Sequence, residues 1–176
     1  MENATQILTN EHKDILKVTR ALSNECDEIE SGKAIDRDFF FKAVDFIKNY
    51  ADKFHHAKEE DILFVELCRD EAQMHCNPTQ QMIHEHDMGR SFVRGLEEGL
   101  RQDNKAKIIG NARNYSQLIQ EHIFKEDNIL YPMADEALNQ KSKKSILEKF
   151  KKAESKFSKG SKEKYSSIAE EFEKRK

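Results

Sequence analysis

The sequence predicts an all-α protein, an up-down-up-down four-helix bundle with a short C-terminal helical appendage. Three observations point there. Helix formers dominate and breakers are scarce: 36% of the 176 residues are charged, with only two prolines, six glycines and no tryptophan. Apolar residues recur at steps of three and four along four long stretches. The connections between those stretches are short, which sets consecutive helices antiparallel. A chain of this length builds one domain with a sizeable core.

The first helix is predicted from about Thr5 to Glu30, with Leu8, His12, Ile15, Thr19, Leu22, Cys26 and Ile29 on one stripe and Gly32 as its stop. The second starts near Asp36, a good N-cap, and carries Phe40, Val44, Ile47, Ala51, His55 and Ile62 inward as far as about Arg69. "CNPTQQ" breaks the chain. Asn77 suits the N-cap of the third helix and Pro78 its first position. The third stripe is Met82, His86, Gly89, Val93, Leu96 and Leu100. The fourth helix follows Asp103, with Ile108, Ala112, Tyr115, Ile119, His122, Glu126, Ile129 and Met133 inward. Pro132 removes a backbone donor and is expected to kink or end it. Residues 1–140 are read as this bundle. Residues 141–176 are read as a charged helical extension packed on it, split near Gly160 and Ser161.

Charge is unevenly placed. The last 36 residues hold thirteen Lys/Arg against six Glu, a net of +7, and the first 140 carry −10. The extension therefore reads as a basic cover on an acidic bundle. Aromatics and glycines are not interleaved as a nucleic-acid patch requires, so no nucleic-acid partner is expected. No apolar run approaches the roughly 20 residues of a membrane span, so no membrane partner is expected either. "MENATQIL" lacks the basic-then-apolar start of a secretory signal. Cys26, Cys68 and Cys76 are odd in number and without CxxC spacing, which reads as free thiols in the cytoplasm.

Each of the four apolar stripes contains one histidine: His12, His55, His86 and His122. A buried imidazole without a partner costs about 1–3 kcal/mol. One such residue is ordinarily a satisfied core histidine. Four, on four helices, point to a shared metal, because neutral imidazole is the commonest protein metal ligand. Glu59 lies four residues after His55, and Glu126 four after His122, so each pair shares a helix face. Bare buried anions there would be heavily penalised. A pair of metal ions would neutralise them, and each carboxylate can bridge both ions. The stretch "FHHAKEEDILF" and its echo "EHIFKEDNILYP" are thus one half-site written twice, with "ILF" and "ILY" as an apolar collar. Glu60, Asp61 and Asp127 read as ordinary solvated acids.

The other histidines divide. His84 lies about 200° round the helix from His86 and is expected to face away. His75 beside Cys76 reads as a surface loop pair. His56 lies about 100° from His55, which leaves two placements open, a fifth histidine ligand or a position along the helix interface. Mixed imidazole and carboxylate ligation without thiolate suits Fe, Mn or Zn. Six or seven ligands over four helices favour two octahedral ions, with iron the first choice. Tyr115 on the fourth stripe is expected to be a core tyrosine with a satisfied hydroxyl.

"NEHKDIL", "FHHAKEEDILF", "EHDMGR" and "EHIFKEDNILYP", in this order over about residues 5 to 140, resemble the hemerythrin-like family, the HHE cation-binding domain. The charged C-terminal pair of short helices also resembles the tail of one bacterial and archaeal subgroup. The resemblance implies a four-helix bundle around a non-heme di-iron centre, oxo- or hydroxo-bridged. His12, His55 and His56 would then hold one iron, His86 and His122 the other, and Glu59 and Glu126 would bridge. The chain departs from the oxygen-carrying members. They have a second histidine four residues from the one at His86, where this chain has Met82 and Arg90. Their last motif ends in Asp at a longer spacing, where this chain has Glu126. The departures direct the reading to relatives that sense iron or oxygen, handle nitric oxide or peroxide, or repair iron centres.

Two function classes fit. One is a binding module for O2, NO or iron in sensing, storage or stress response. The other is an enzyme turning over peroxide or NO, or donating iron to damaged centres. The sequence does not separate them, because a metal acts as Lewis acid and redox centre without dedicated acid–base residues. A helical adaptor working through its basic tail would leave the four inward histidines unexplained.

Overall fold

A computed structural model of the chain describes residues 3–69, 77–157 and 160–175, and every regular element among them is helical. Helix α1 is Ala4–Glu30. Asn3 caps it by accepting the Gln6 amide at 2.8 Å, and Gly32, at φ +110°, lets the chain turn away afterwards. Helix α2 spans 37–67 and starts on Asp36, which accepts the Phe39 amide. Its first piece, Arg37–Phe46, is α-helical. The turns then widen to π geometry over Ile47–His56 and again over Glu59–Leu63, before Phe64–Leu67 closes the rod. Helix α3 is Thr79–Arg101, with the Thr79 amide donating to Asn77; Pro78 stands just before the first helical residue, not at it.

Helix α4 spans 105–137 in three pieces, Lys105–Lys125, a π turn at Glu126–Leu130, and Tyr131–Ala137. Pro132 does not end it. The proline sits where π bonding returns to α bonding, a point at which one carbonyl already lacks a partner, so its missing N–H costs little. Ile129 is not inward but half-exposed, because the widened turn returns Leu130 and Tyr131 to the buried face in its place. His75 and Cys76 lie outside the described residues.

Apolar side chains form two clusters. The larger includes Ile15, Leu22, Phe46, Tyr50, Leu96, Ile108 and Ile119. The smaller includes Leu8, Leu63, Phe64, Met82, Leu130 and Tyr131. Along each of the four long rods the histidine falls between a residue of one cluster and a residue of the other. The polar layer is thus sealed above and below. Small residues set the approach of α3 to α4: a Cβ on Gly99 would stand 3.0 Å from the Ile108 amide nitrogen.

Helices α5 (Gln140–Lys156) and α6 (Ser161–Glu173) complete both clusters. Ile146 and Phe150 join the smaller, while Tyr165, Ala169 and Phe172 join the larger. Gly160, at φ +84°, makes the break between them. Lys149–Glu66 (2.6 Å), Lys164–Asp45 (2.9 Å) and Arg175–Asp36 (2.6 Å) tie them to the acidic rods. A partly exposed ion pair contributes about 0–1 kcal/mol, whereas burying one Phe contributes about 1.5–3 kcal/mol. Apolar contact, more than charge, therefore holds the extension down.

Candidate metal centre

Helices α1 to α4 bring six buried side chains to the polar layer: His12, His55, Glu59, His86, His122 and Glu126, none more than 1% exposed. His56 joins them at 6%. Two groups of potential ligand atoms result, each with its atoms within 4.8 Å of one another. One is His12, His55, Glu59 and Glu126; the other is His56, His86 and His122. The expected grouping of His56 with His12 and His55 is therefore revised. Its ring lies parallel to that of His86, with centroids 3.8 Å apart. The π geometry of Ile47–His56 explains how neighbours in sequence can both face inward. A wider turn lowers the angular step below the 100° of an α-helix.

The imidazoles meet in pairs. His12 Nε2 stands 3.0 Å from His55 Nε2, and His86 Nε2 stands 2.9 Å from His122 Nε2. Every Nδ1 of these four donates to a carboxylate: His12 to Asp127 (3.0 Å), His55 to Glu11 (2.9 Å), His86 to Glu60 (2.6 Å) and His122 to Glu85 (2.8 Å). A carboxylate only accepts, so each Nδ1 carries the hydrogen and each Nε2 lone pair is left facing another. Facing lone pairs require a cation between them, a proton or a metal ion. Glu60 and Asp127 are thus not the solvated acids expected; they orient histidines, as do Glu11 and Glu85. Asp61 is exposed, as its sequence position suggests.

The charge distribution follows the same pairing. Burial works against protonating His12, but Asp127, Glu126 and Glu59 outweigh it and raise it to about 9. Burial likewise opposes charge on His122, yet Glu126, Glu85 and Glu59 raise it to about 10. Their partners go the other way. Burial and the cationic His12 lower His55; burial, opposed by Glu60 but joined by the cationic His122, lowers His86. Each pair therefore holds, beyond its two Nδ1 hydrogens, one proton between its two Nε2 atoms at neutral pH. Between the carboxylates, burial and then Glu126 raise Glu59 well above its usual range. Glu126 resists its own burial through His122 and His12 and stays ionised.

The side chains fit a metal on one further ground. Both oxygens of Glu126, one oxygen of Glu59 and Nδ1 of His56 are buried without a well-aligned hydrogen bond among the described residues: Glu126 meets only the Nε2 atoms of His122 at 3.1 Å and His12 at 3.3 Å, and His56 only Asp52 at 3.4 Å. An unmet buried group costs about 1–3 kcal/mol, more for an anion. Imidazole nitrogens and carboxylate oxygens, with no sulfur, suit a first-row transition ion.

Tyr131 was not foreseen as part of the site. Its hydroxyl donates to Glu59 Oε1 at 2.5 Å and lies 3.3 Å from His12 Nε2. It stands five residues after Glu126, a separation that the π turn folds onto one face and that an α-helical wheel rotates away. Phe64 takes the equivalent place after Glu59, its ring parallel to that of His86. Tyr115 is buried as expected, but its hydroxyl has no hydrogen-bond partner among the described residues. His84 is exposed.

Paired imidazoles and carboxylates enclosed by helical rods define a helical cation-binding domain. The chain belongs to the hemerythrin HHE cation binding domain family, whose model matches residues 3–134. Neither the curated proteins nor the solved structures compared with the chain include a match.

Proposed function

We propose that the chain is a non-heme di-iron protein of the hemerythrin-like type that binds O2, NO or iron itself in sensing, storage or stress response. The observation that carries this reading is the double Nε2 pairing, with every Nδ1 fixed by a carboxylate. In it, His12 and His55 would hold one ion and His56, His86 and His122 the other, with Glu59 and Glu126 as the carboxylate donors. Bound iron would supply one-electron chemistry and affinity for a diatomic ligand. The protein's own part is to hold the imidazole tautomers, exclude water through the two apolar clusters, and keep the Tyr131 O–H beside Glu59. Mn or Zn would fit the same donors.

The reading includes an up-down-up-down order of the rods. Support comes from contacts between opposite ends, as when Arg37 at the start of α2 donates to the Leu100 carbonyl near the end of α3. It includes a bundle over 1–140 with 141–176 as its cover, supported by basic groups of the extension committed to acids of the rods. For the same reason nucleic acid is not among the proposed partners. No helix among the described residues is long and apolar enough to cross a membrane, and a cytoplasmic location is part of the proposal. A second reading, turnover of peroxide or NO or iron donation for repair, is favoured by Tyr131, a buried O–H donor poised at the two-histidine group.

Elemental analysis of protein expressed in iron-rich medium, with optical spectra before and after oxygen, tests both. Two irons per chain and a charge-transfer band on oxygenating the reduced protein are expected. No spectral change with iron bound rejects the binding reading, and multiple turnovers of peroxide or NO select the enzyme.

A further inference from the structure

The acids that accept the Nδ1 hydrogens of the paired imidazoles are themselves held. Lys58 donates to Glu11 and Lys125 to Glu85, one lysine to one acid. Thr9 Oγ1 donates to Asp127 at 2.7 Å. Glu60, the acceptor for His86, is held by Arg90, and Arg90 holds more than Glu60.

Arg90 stands four residues after His86, about one turn further along α3. Its Nη2 donates to Glu60 Oε1 at 2.7 Å, the same oxygen that takes the His86 Nδ1 hydrogen at 2.6 Å. Its Nε and Nη2 reach Asp52 Oδ1 at 2.8 and 2.7 Å, the same oxygen that faces His56 Nδ1 at 3.4 Å. Its Nη1 donates to Asp87 at 2.9 Å. One guanidinium on α3 thus places two carboxylate oxygens of α2, and these face two of the three histidines in the group His56, His86 and His122.

The two rings lie parallel with centroids 3.8 Å apart, so a turn of one disturbs the other. Close packing fixes a side chain by contact on all sides. Here a cavity of about 310 Å³ between α2 and α3 is lined by His56, His86 and Arg90. A ring beside open space relies on its hydrogen bonds to keep its orientation. A guanidinium suits that task, because its planar fork holds two acceptors at fixed angles, whereas a lysine is a point charge on a flexible stem.

We propose that Arg90 is a positioning residue for the three-histidine group: it fixes Glu60 and Asp52 together, and through them presents His86 and His56 to a cation as one unit. The inference rests on the di-iron reading for the identity of the cation. The positioning itself belongs to the metal-free protein and is tested there.

Imidazole 15N chemical shifts of the metal-free full chain are compared with those of Arg90→Leu. The His86 and His56 resonances should move and the His86 Nδ1 hydrogen should exchange faster with water, while His12 and His55 stay in place. Fe(II) competed against a ferrous chelator under argon should show one of two ions held about tenfold more weakly, the low end of the loss on removing a ligand's hydrogen-bond partner. Arg90→Lys keeps the charge without the fork; it should leave the melting temperature near that of the unaltered protein but not restore the His56 shift. Arg113→Leu removes a guanidinium paired to Asp27 and Glu30 at the far end of α1 and should move no histidine. Thermal melts verify that each variant is folded. The proposal is overturned if Arg90→Leu leaves His56 and His86 unmoved, if it moves His12 and His55 equally, or if Arg90→Lys reproduces every original shift. Shifts that move as expected in a protein that takes up no second iron uphold the positioning and reject the di-iron reading instead.

Discussion

The half of the centre on α2 and the half on α4 follow one pattern but have different surroundings. Each runs His-x-x-Lys-Glu with an aromatic five residues after the Glu: His55, Lys58, Glu59 and Phe64 on one, His122, Lys125, Glu126 and Tyr131 on the other. In each, the Lys donates to the acid that fixes its own histidine's Nδ1, Glu11 for Lys58 and Glu85 for Lys125. Lys58, however, has no exposed surface. It lies 3.9 Å over the Phe54 ring, with Phe150 and Glu154 of α5 above it. Lys125 is 36% exposed. One local design thus sits once in a dry environment and once at the edge of solvent. What the lysine contributes should depend on burial more than on bond geometry.

The largest effect is expected from Lys58→Ala. It removes the cation in direct contact with the buried Glu11 carboxylate, leaving only the more distant Lys162, and should lower the stability of the metal-free protein by about 3–5 kcal/mol, read by urea denaturation. A loss below about 1 kcal/mol would mean that water reaches Glu11 and that the two halves are alike. Next come Glu11→Gln and Glu85→Gln. Each replaces the anion that fixes one imidazole by a weaker, neutral acceptor and should weaken metal binding about 10–100-fold, measured by competition with a chelator. The smallest is Lys125→Ala, at about 0–1 kcal/mol because solvent already screens the pair.

Proton linkage provides a test of the paired imidazoles themselves. In the metal-free protein, His12 and His122 have folded values raised from 6.5 to about 9 and about 10. Their stabilising contribution is complete below about 6.5 and is lost as pH rises through 9 and then 10. Melting temperature of the metal-free protein should fall over that window. The metal-loaded protein should not share the decline, and metal uptake near neutral pH should release protons. Calorimetry in buffers of different ionisation enthalpy counts them; no release would mean that the pairs are not bridged by protons.

Much of this was legible in the sequence. The all-helical class, the Asp36 cap, the break at Gly160 and the convergence of His12, His55, Glu59, His86, His122 and Glu126 follow from a 100° step and ordinary capping chemistry. What was missed clusters at the π turns. The grouping of His56 and the inward position of Ile129 rest on a 100° wheel at places where the helix does not keep one, Tyr131 reads there as no more than part of an apolar collar, and the helix runs on past Pro132. The acids that fix the Nδ1 atoms were missed for another reason. Glu11, Glu60, Glu85 and Asp127 sit beside inward positions, and only the packing of one rod on another reveals that each reaches a histidine.

The turns Glu59–Leu63 and Glu126–Leu130 each accommodate a surplus residue relative to a regular helix. Asp61 and Asn128 point outward within them and look dispensable. Deleting either would convert the π turn into an ordinary α turn, in which Phe64 or Tyr131 follows its glutamate by four residues, about 400°, and so stays on the same face. These two stretches should therefore tolerate loss of the outer residue as well as its exchange, provided that one residue and no more is removed from each.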